Sequence, residues 1–104
     1  MSKLDDLDRP WTFLSNYAHV LVCLAEDPTT RIREVADRVG ITERAAMRNV
    51  KHLDEAGVVS RQRVGRRNRY RINMETSLRH PLESHGTVGS LLTALFPARI
   101  VTNN

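Results

Sequence analysis

Two stretches of helical spacing separated by a single glycine constrain this chain more than any other feature. Ile32, Val35, Ala36 and Val39 fall at i, i+3, i+4 and i+7, the stripe of a helix resting on a core. Gly40 supplies a turn and Thr42 an N-cap for the next helix. In that helix Ala46, Val50 and Leu53 repeat at i, i+4 and i+7 as far as about Ala56, with Gly57 as the stop. Arg44, Arg48 and Lys51 keep the same spacing two positions earlier, roughly 200° around the axis. A cationic stripe therefore faces away from the core, bordered by Glu43 and Met47 and flanked by Asn49 and His52.

The cations continue past Gly57. VSRQRVGRRNRYRIN, residues 59–73, holds six arginines and no acidic residue. The runs on either side of Gly65-Arg66-Arg67-Asn68 read as two strands joined by a turn. In the second strand Tyr70 and Ile72 alternate with Arg69, Arg71 and Asn73, so one face can pack while the other stays in solvent. In the first, Val58 and Val59 fall on opposite faces. Of the 16 Lys and Arg in the chain, 13 lie between Thr29 and Arg79, with 6 of the 12 acids, so this middle carries +7 and the flanks −3. A positive segment in a small domain is the footprint of a polyanion binder.

The flanking segments are apolar. Between Trp11 and Glu26 the polar residues Thr12, Ser15, Asn16, His19, Cys23 and Glu26 gather within about 100° of a helix, and Phe13, Leu14, Tyr17, Val20, Leu21 and Leu24 fill the rest. Such a helix needs cover on two sides. Asp27-Pro28 ends it, and a short extended piece is expected near Arg31-Ile32. Pro81 suits the first turn of a last helix, in which Val88, Leu91, Leu92, Leu95 and Phe96 mark an apolar stripe before Pro97. Gly86 and Gly89 weaken that helix by up to about 1 kcal/mol each and permit close approach of another backbone. The surplus apolar surface predicts a symmetric homodimer, with Phe13, Tyr17, Val20 and Leu24 packing on Val88, Leu91, Leu92, Leu95 and Phe96 across a two-fold axis. The alternative is that the last helix folds back onto the first within one chain.

Several classes are disfavoured. At 104 residues and 40% hydrophobic content the chain is one globular domain. No apolar run approaches the roughly 20 residues of a membrane span. The N-terminus lacks the basic and apolar regions of a signal peptide, and Cys23 alone forms no intrachain disulfide, which suits a cytoplasmic location. No Gly-rich phosphate loop, HExxH or CxxC points to an enzyme. His80 with His85, and His19 with Cys23, are weak pairs without further ligands, so neither metal nor cofactor is expected.

Helix, short strand, helix, Gly turn, helix, hairpin and helix is the layout of a winged helix-turn-helix. Residues 32–73, with the VGIT turn, the LDEAGV helix end and the GRR…YR hairpin, resemble the DNA-binding core of prokaryotic transcription regulators of the MarR and ArsR type. The resemblance implies a mainly α fold with a small β-hairpin (α+β), a flexible N-terminus at 1–10, a winged DNA-binding domain at 11–80, a dimerisation helix at 81–97 and a flexible tail at 98–104. It also implies a sequence-specific regulator that binds double-stranded DNA, with the helix of Thr42, Glu43, Arg44, Met47, Arg48 and Lys51 in the major groove. Arg61, Arg63, Arg66, Arg67, Asn68 and Arg69 would form the wing on the adjacent backbone or minor groove. Arg44 and Arg48 can pair bidentately with guanine, and Lys51 suits a phosphate. ArsR-type metal sensors place paired cysteines in this region, whereas this chain has only Cys23. MarR-type proteins carry longer terminal helices than residues 81–96 provide. The runner-up is a winged helix that binds protein instead of DNA. RNA is disfavoured, since only Tyr17 and Tyr70 offer phenol rings and the strand pattern turns Tyr70 inward.

Overall fold

The structure, a computed structural model, describes residues 11–95. The expected loose ends at 1–10 and 98–104, and the interface residue Phe96, lie outside the described residues. The elements run α1 (Asn16–Glu26), α2 (Ile32–Val39), α3 (Glu43–Glu55), β1 (Val59–Val64), β2 (Arg67–Ile72) and α4 (Val88–Leu95). The strands pair antiparallel, with Val59 opposite Ile72 and Val64 opposite Arg67.

The locally encoded helices form as expected. Thr42 Oγ1 accepts from the Ala45 N–H at 3.0 Å, which caps α3. At the end of α2, Gly40 and Ile41 N–H both donate to the Ala36 carbonyl, and the chain turns directly into α3. Ala46, Val50 and Leu53 are buried as the spacing required. The expected strand near Arg31 is absent among the described residues, because a carboxylate starts the helix there instead. Glu34 Oε1 accepts from the Arg31 N–H at 3.2 Å and from the Thr30 hydroxyl at 3.1 Å. Those hydrogen bonds, the backbone one first, hold the Glu34 carboxyl below the usual carboxylate range. What remains of strand pairing is one bond, from Tyr70 N–H to the Pro28 carbonyl at 2.8 Å.

Where burial decides, the outline differs from expectation. α1 begins at Asn16, not Trp11. The Thr12 hydroxyl donates to the Leu14 carbonyl at 2.6 Å, and Ser15 stays extended. Trp11 is 75% and Phe13 91% exposed, so a helix there would have no core to rest on. Cys23, assigned to the polar arc, is 4% exposed in the core, where burial pushes its thiol pKa up. A free thiol packs as a small apolar group. Val58 and Val59 are both buried, because Val58 precedes the strand and donates its N–H to the Leu53 carbonyl, while Val59 shares a face with Ile72.

The last helix begins at Val88, not Pro81. Residues 81–85 turn instead, with Leu82 82% exposed and no buried stripe to support a helix. Ser90 N–H donates to Thr87 Oγ1 and Thr87 N–H to Ser90 Oγ, a reciprocal cap that fixes the start. Gly89 N–H donates to the Met74 carbonyl and Val88 N–H to the Thr76 carbonyl, which seats α4 on the segment after the hairpin. Val20, Leu24, Val88 and Leu92 consequently belong to one core within the chain. Their apolar surface, expected at a partner contact, is buried within the chain. The within-chain closure satisfies that part of both stripes.

A Cβ on Gly89 would stand 2.8 Å from the Met74 carbonyl oxygen and 2.9 Å from its Cβ. Helix propensity alone favours Ala over Gly by about 1 kcal/mol. Overpacking against backbone typically costs about 1–3 kcal/mol, so the contact wins. Gly89→Ala should lower the unfolding free energy in urea by up to about 2 kcal/mol, and a stabilised variant would show that α4 is not seated on Met74.

Candidate nucleic-acid interface

With Ala46, Val50 and Leu53 locked in the core, the rotation of α3 is set, and Arg44, Arg48 and Lys51 project into solvent. Met47, beside them, is 59% exposed, and Glu43 and Thr42 stand exposed at the helix start. The Thr42 oxygen is engaged in its cap, which leaves its hydroxyl hydrogen to donate. On the flank, His52 Nδ1 and the Tyr17 hydroxyl are hydrogen-bonded at 2.7 Å, with ring centroids 5.9 Å apart. Tyr17, expected at a dimer contact, thus ties α1 to α3. Nothing in the spacing of residues so far apart in sequence announces that pair.

The hairpin divides its arginines by register. Side chains alternate across a strand, so Val59, Arg61, Arg63, Asn68, Tyr70 and Ile72 share one face, and Ser60, Gln62, Val64, Arg67, Arg69 and Arg71 the other. Burial of Val59 and Tyr70 identifies the first face as the one that packs on the helices. Arg61 Nε lies 3.9 Å from Asp54 Oδ2 of α3, both exposed, an ion pair of little energetic weight. Arg63 Nε donates to the Gly65 carbonyl at 3.1 Å and braces the turn. Arg67 Nη1 donates to the Thr29 carbonyl at 3.2 Å, tying the hairpin to the loop before α2. The side chains of Arg66 and Arg69 make no hydrogen bond or ion pair with the described residues.

Only Gly65 and Arg66 form the turn. Arg67 and Asn68, expected in it, are paired with Val64 and Arg63. Gly65 has φ +63°, and among the described residues only glycines take positive φ. Positive φ at the first loop position alone is the signature of a type II′ turn, whose twist matches that of the strands. The tip therefore projects Arg66 from a short, well-determined loop.

Residues 19–60 match the family model for winged helix-turn-helix DNA-binding domains. No curated protein matches the chain. The matched segment covers most of α1, all of α2 and α3 and the start of β1. The architecture is a winged helix-turn-helix, with α2 and α3 as the helix-turn-helix and the hairpin as its wing. In this winged domain the basic face of α3 is the exposed side of the second helix, and the arginine-rich hairpin stands where the wing belongs.

His19 Nδ1 lies 3.1 Å from Asn16 Oδ1 while Cys23 is buried, and His80 Nδ1 accepts from the Leu82 N–H. Among the described residues no group of three His, Cys, Asp or Glu side chains is placed to hold a metal ion. No helix among them is long and apolar enough to cross a membrane.

A Cβ added to Gly65 meets nothing within 4 Å, so its replacement tests backbone conformation alone. Gly65→Ala should cost about 1–2 kcal/mol, the penalty of placing an L side chain at positive φ. Chemical denaturation measures it, and an unchanged midpoint would mean that the turn has another geometry.

Proposed function

We propose that this protein is a sequence-specific double-stranded DNA-binding transcription regulator, with α3 in the major groove and the wing on the adjacent backbone or minor groove. The observation that carries the reading is the exposed Arg44, Arg48 and Lys51 stripe on the second helix of a winged helix-turn-helix. Guanidinium groups there can donate two hydrogen bonds to a guanine edge, which gives Arg44 and Arg48 the base-reading role and Lys51 a phosphate. Thr42, Glu43 and Met47 border that contact. Arg61, Arg63, Arg66, Arg67, Asn68 and Arg69 supply the wing's charge, Arg66 from the tip and Arg63 and Arg67 partly as braces. The likeness to MarR- and ArsR-type regulators of residues 32–73 supports the same assignment.

The reading includes a homodimer, supported by apolar groups left uncovered by the described residues. Trp11 and Phe13 stack edge to face at 4.8 Å in full view of solvent, and Leu95 is exposed at the end of α4. With four of the nine predicted interface residues buried in the core, Tyr17 bonded to His52 and Phe96 outside the described residues, Phe13, Leu91 and Leu95 remain from that set, and Trp11 joins them. A two-fold axis there would present two α3 helices to half-sites of an imperfect palindrome about one helical turn apart.

Titration of a labelled duplex at several salt concentrations tests the DNA reading. Each phosphate neutralised contributes about −0.9 to the slope of log K against log salt, so a dimer using roughly three to four cations per subunit gives a slope near −6. A slope flatter than about −2 would refute the cationic helix-and-wing interface. Arg66→Ala should weaken all sequences alike, while Arg44→Ala or Arg48→Ala should cost about 1–3 kcal/mol on the preferred site and blur specificity.

Sedimentation tests the dimer separately. The wild type should exceed the 11.9 kDa chain mass at micromolar concentration. Phe13→Glu with Leu95→Glu should return it to the monomer mass with its circular dichroism intact, because both side chains are exposed. A wild-type mass near that of one chain at all concentrations would defeat the dimer.

A further inference from the structure

The wing tip and the start of α2 enclose a notch of about 330 Å³ whose lining includes Thr29, Arg31, Ile32, Arg66, Arg67 and Asn68. Three arginines from two separate segments line this one concavity. Arg67 spends a donor on the Thr29 carbonyl and is thereby held in place. Arg31 and Arg66 have no side-chain hydrogen bond or ion pair with the described residues. The nearby carboxylate of Glu34 already accepts from the Thr30 hydroxyl and the Arg31 N–H, and it does not line the notch. That one carboxylate offsets part of the charge of Arg31 and Arg67, but three arginines line the notch, and an anion among them relieves the repulsion that remains. The guanidinium fork fits the oxygens of a phosphate, and the Asn68 amide adds a neutral donor.

We infer that this notch is a phosphate site, and that Arg31 belongs to it together with Arg66 and Arg67. Its natural occupant is a phosphodiester of the duplex backbone beside the wing, which rests on the DNA-binding reading. A free phosphate would meet the same groups. In the duplex complex the site anchors the wing and the start of α2 to one stretch of backbone, so Arg31 sets position while α3 reads bases.

Two measurements on the full chain test it. Inorganic phosphate, titrated at constant ionic strength, should move the amide resonances of Ile32, Arg66 and Asn68 in the wild type, and Arg31→Gln with Arg66→Gln should abolish those shifts. In duplex binding, Arg31→Gln should flatten the salt slope by about 0.9 per subunit with sequence preference unchanged, and Arg31→Lys should restore it. Both effects together establish the site with backbone as its occupant. A flattened slope without a phosphate response assigns it to backbone alone, and localised shifts with an unchanged slope, or with no duplex binding at all, assign it to free phosphate. That last result would sink the DNA reading while leaving the site. An unchanged slope with shifts that are absent, or spread over every basic residue alike, overturns the inference.

Discussion

An eleven-residue helix that buries Val20, Leu21, Cys23, Leu24 and Ala25 has too little polar surface to lie at an edge, and the other elements are arranged by the need to enclose it. α2 and α3 cover it with the stripes of Val35, Ala36, Ala46, Val50 and Leu53, β2 brings Tyr70, and α4 closes the core with Val88 and Leu92. Each covering element presents one apolar face, so its opposite face is forced outward. Burial of α1 thus sets the rotation of α3, and that rotation places Arg44, Arg48 and Lys51 in solvent. The basic surface follows from packing before any charge acts.

Once exposed, most of those cations stay uncompensated. The described residues contain two ion pairs, Arg38 with Glu26 at 2.7 Å and the looser Arg61 with Asp54. The first joins α1 to α2, away from the arginines of α3 and the wing. An exposed guanidinium without a partner loses no protein contact when it meets a phosphate, so association gains Coulomb energy and counterion release without breaking ion pairs. The arginines bonded to backbone carbonyls differ, since Arg63 and Arg67 each sacrifice some freedom to hold the wing's shape. Of the hairpin's six arginines, Arg63 and Arg67 brace its shape, while the side chains of Arg66 and Arg69 make no contact of this kind with the described residues.

That division was not legible in the sequence, whereas α2 and α3 were. Their limits are written locally, in apolar periodicity, the Thr42 cap and the glycines at 40 and 57. The start of α1 and the start of α4 depend on what lies opposite them. Trp11 and Phe13 continue the apolar pattern of α1 but touch each other instead of a core, and α4 waits for the Thr87–Ser90 cap and the contact of Gly89 with Met74. A glycine at 89 announced close backbone approach, but not whose. Likewise a stripe of Val88 and Leu92 reads the same whether its cover comes from a partner or from the chain's own core. The candidate DNA contacts were legible as charge and as strand alternation, and their partners across the fold were not.

The two links between wing and helix-turn-helix explain why a short hairpin can orient anything. An isolated two-stranded hairpin is marginal in water, and six arginines on it add self-repulsion. Here Tyr70 is buried in the core and its N–H bonds to Pro28, while Arg67 reaches Thr29 one residue further along. Both bonds land on the loop that leads into α2, so the wing moves with the helix-turn-helix as one piece. Arg66 then sits at a defined distance from the α3 stripe in spite of its exposure. A wing fixed in this way presents its charges at one spacing, so under the proposed DNA-binding function contacts that carry no base information would still select the register in which α3 meets the groove.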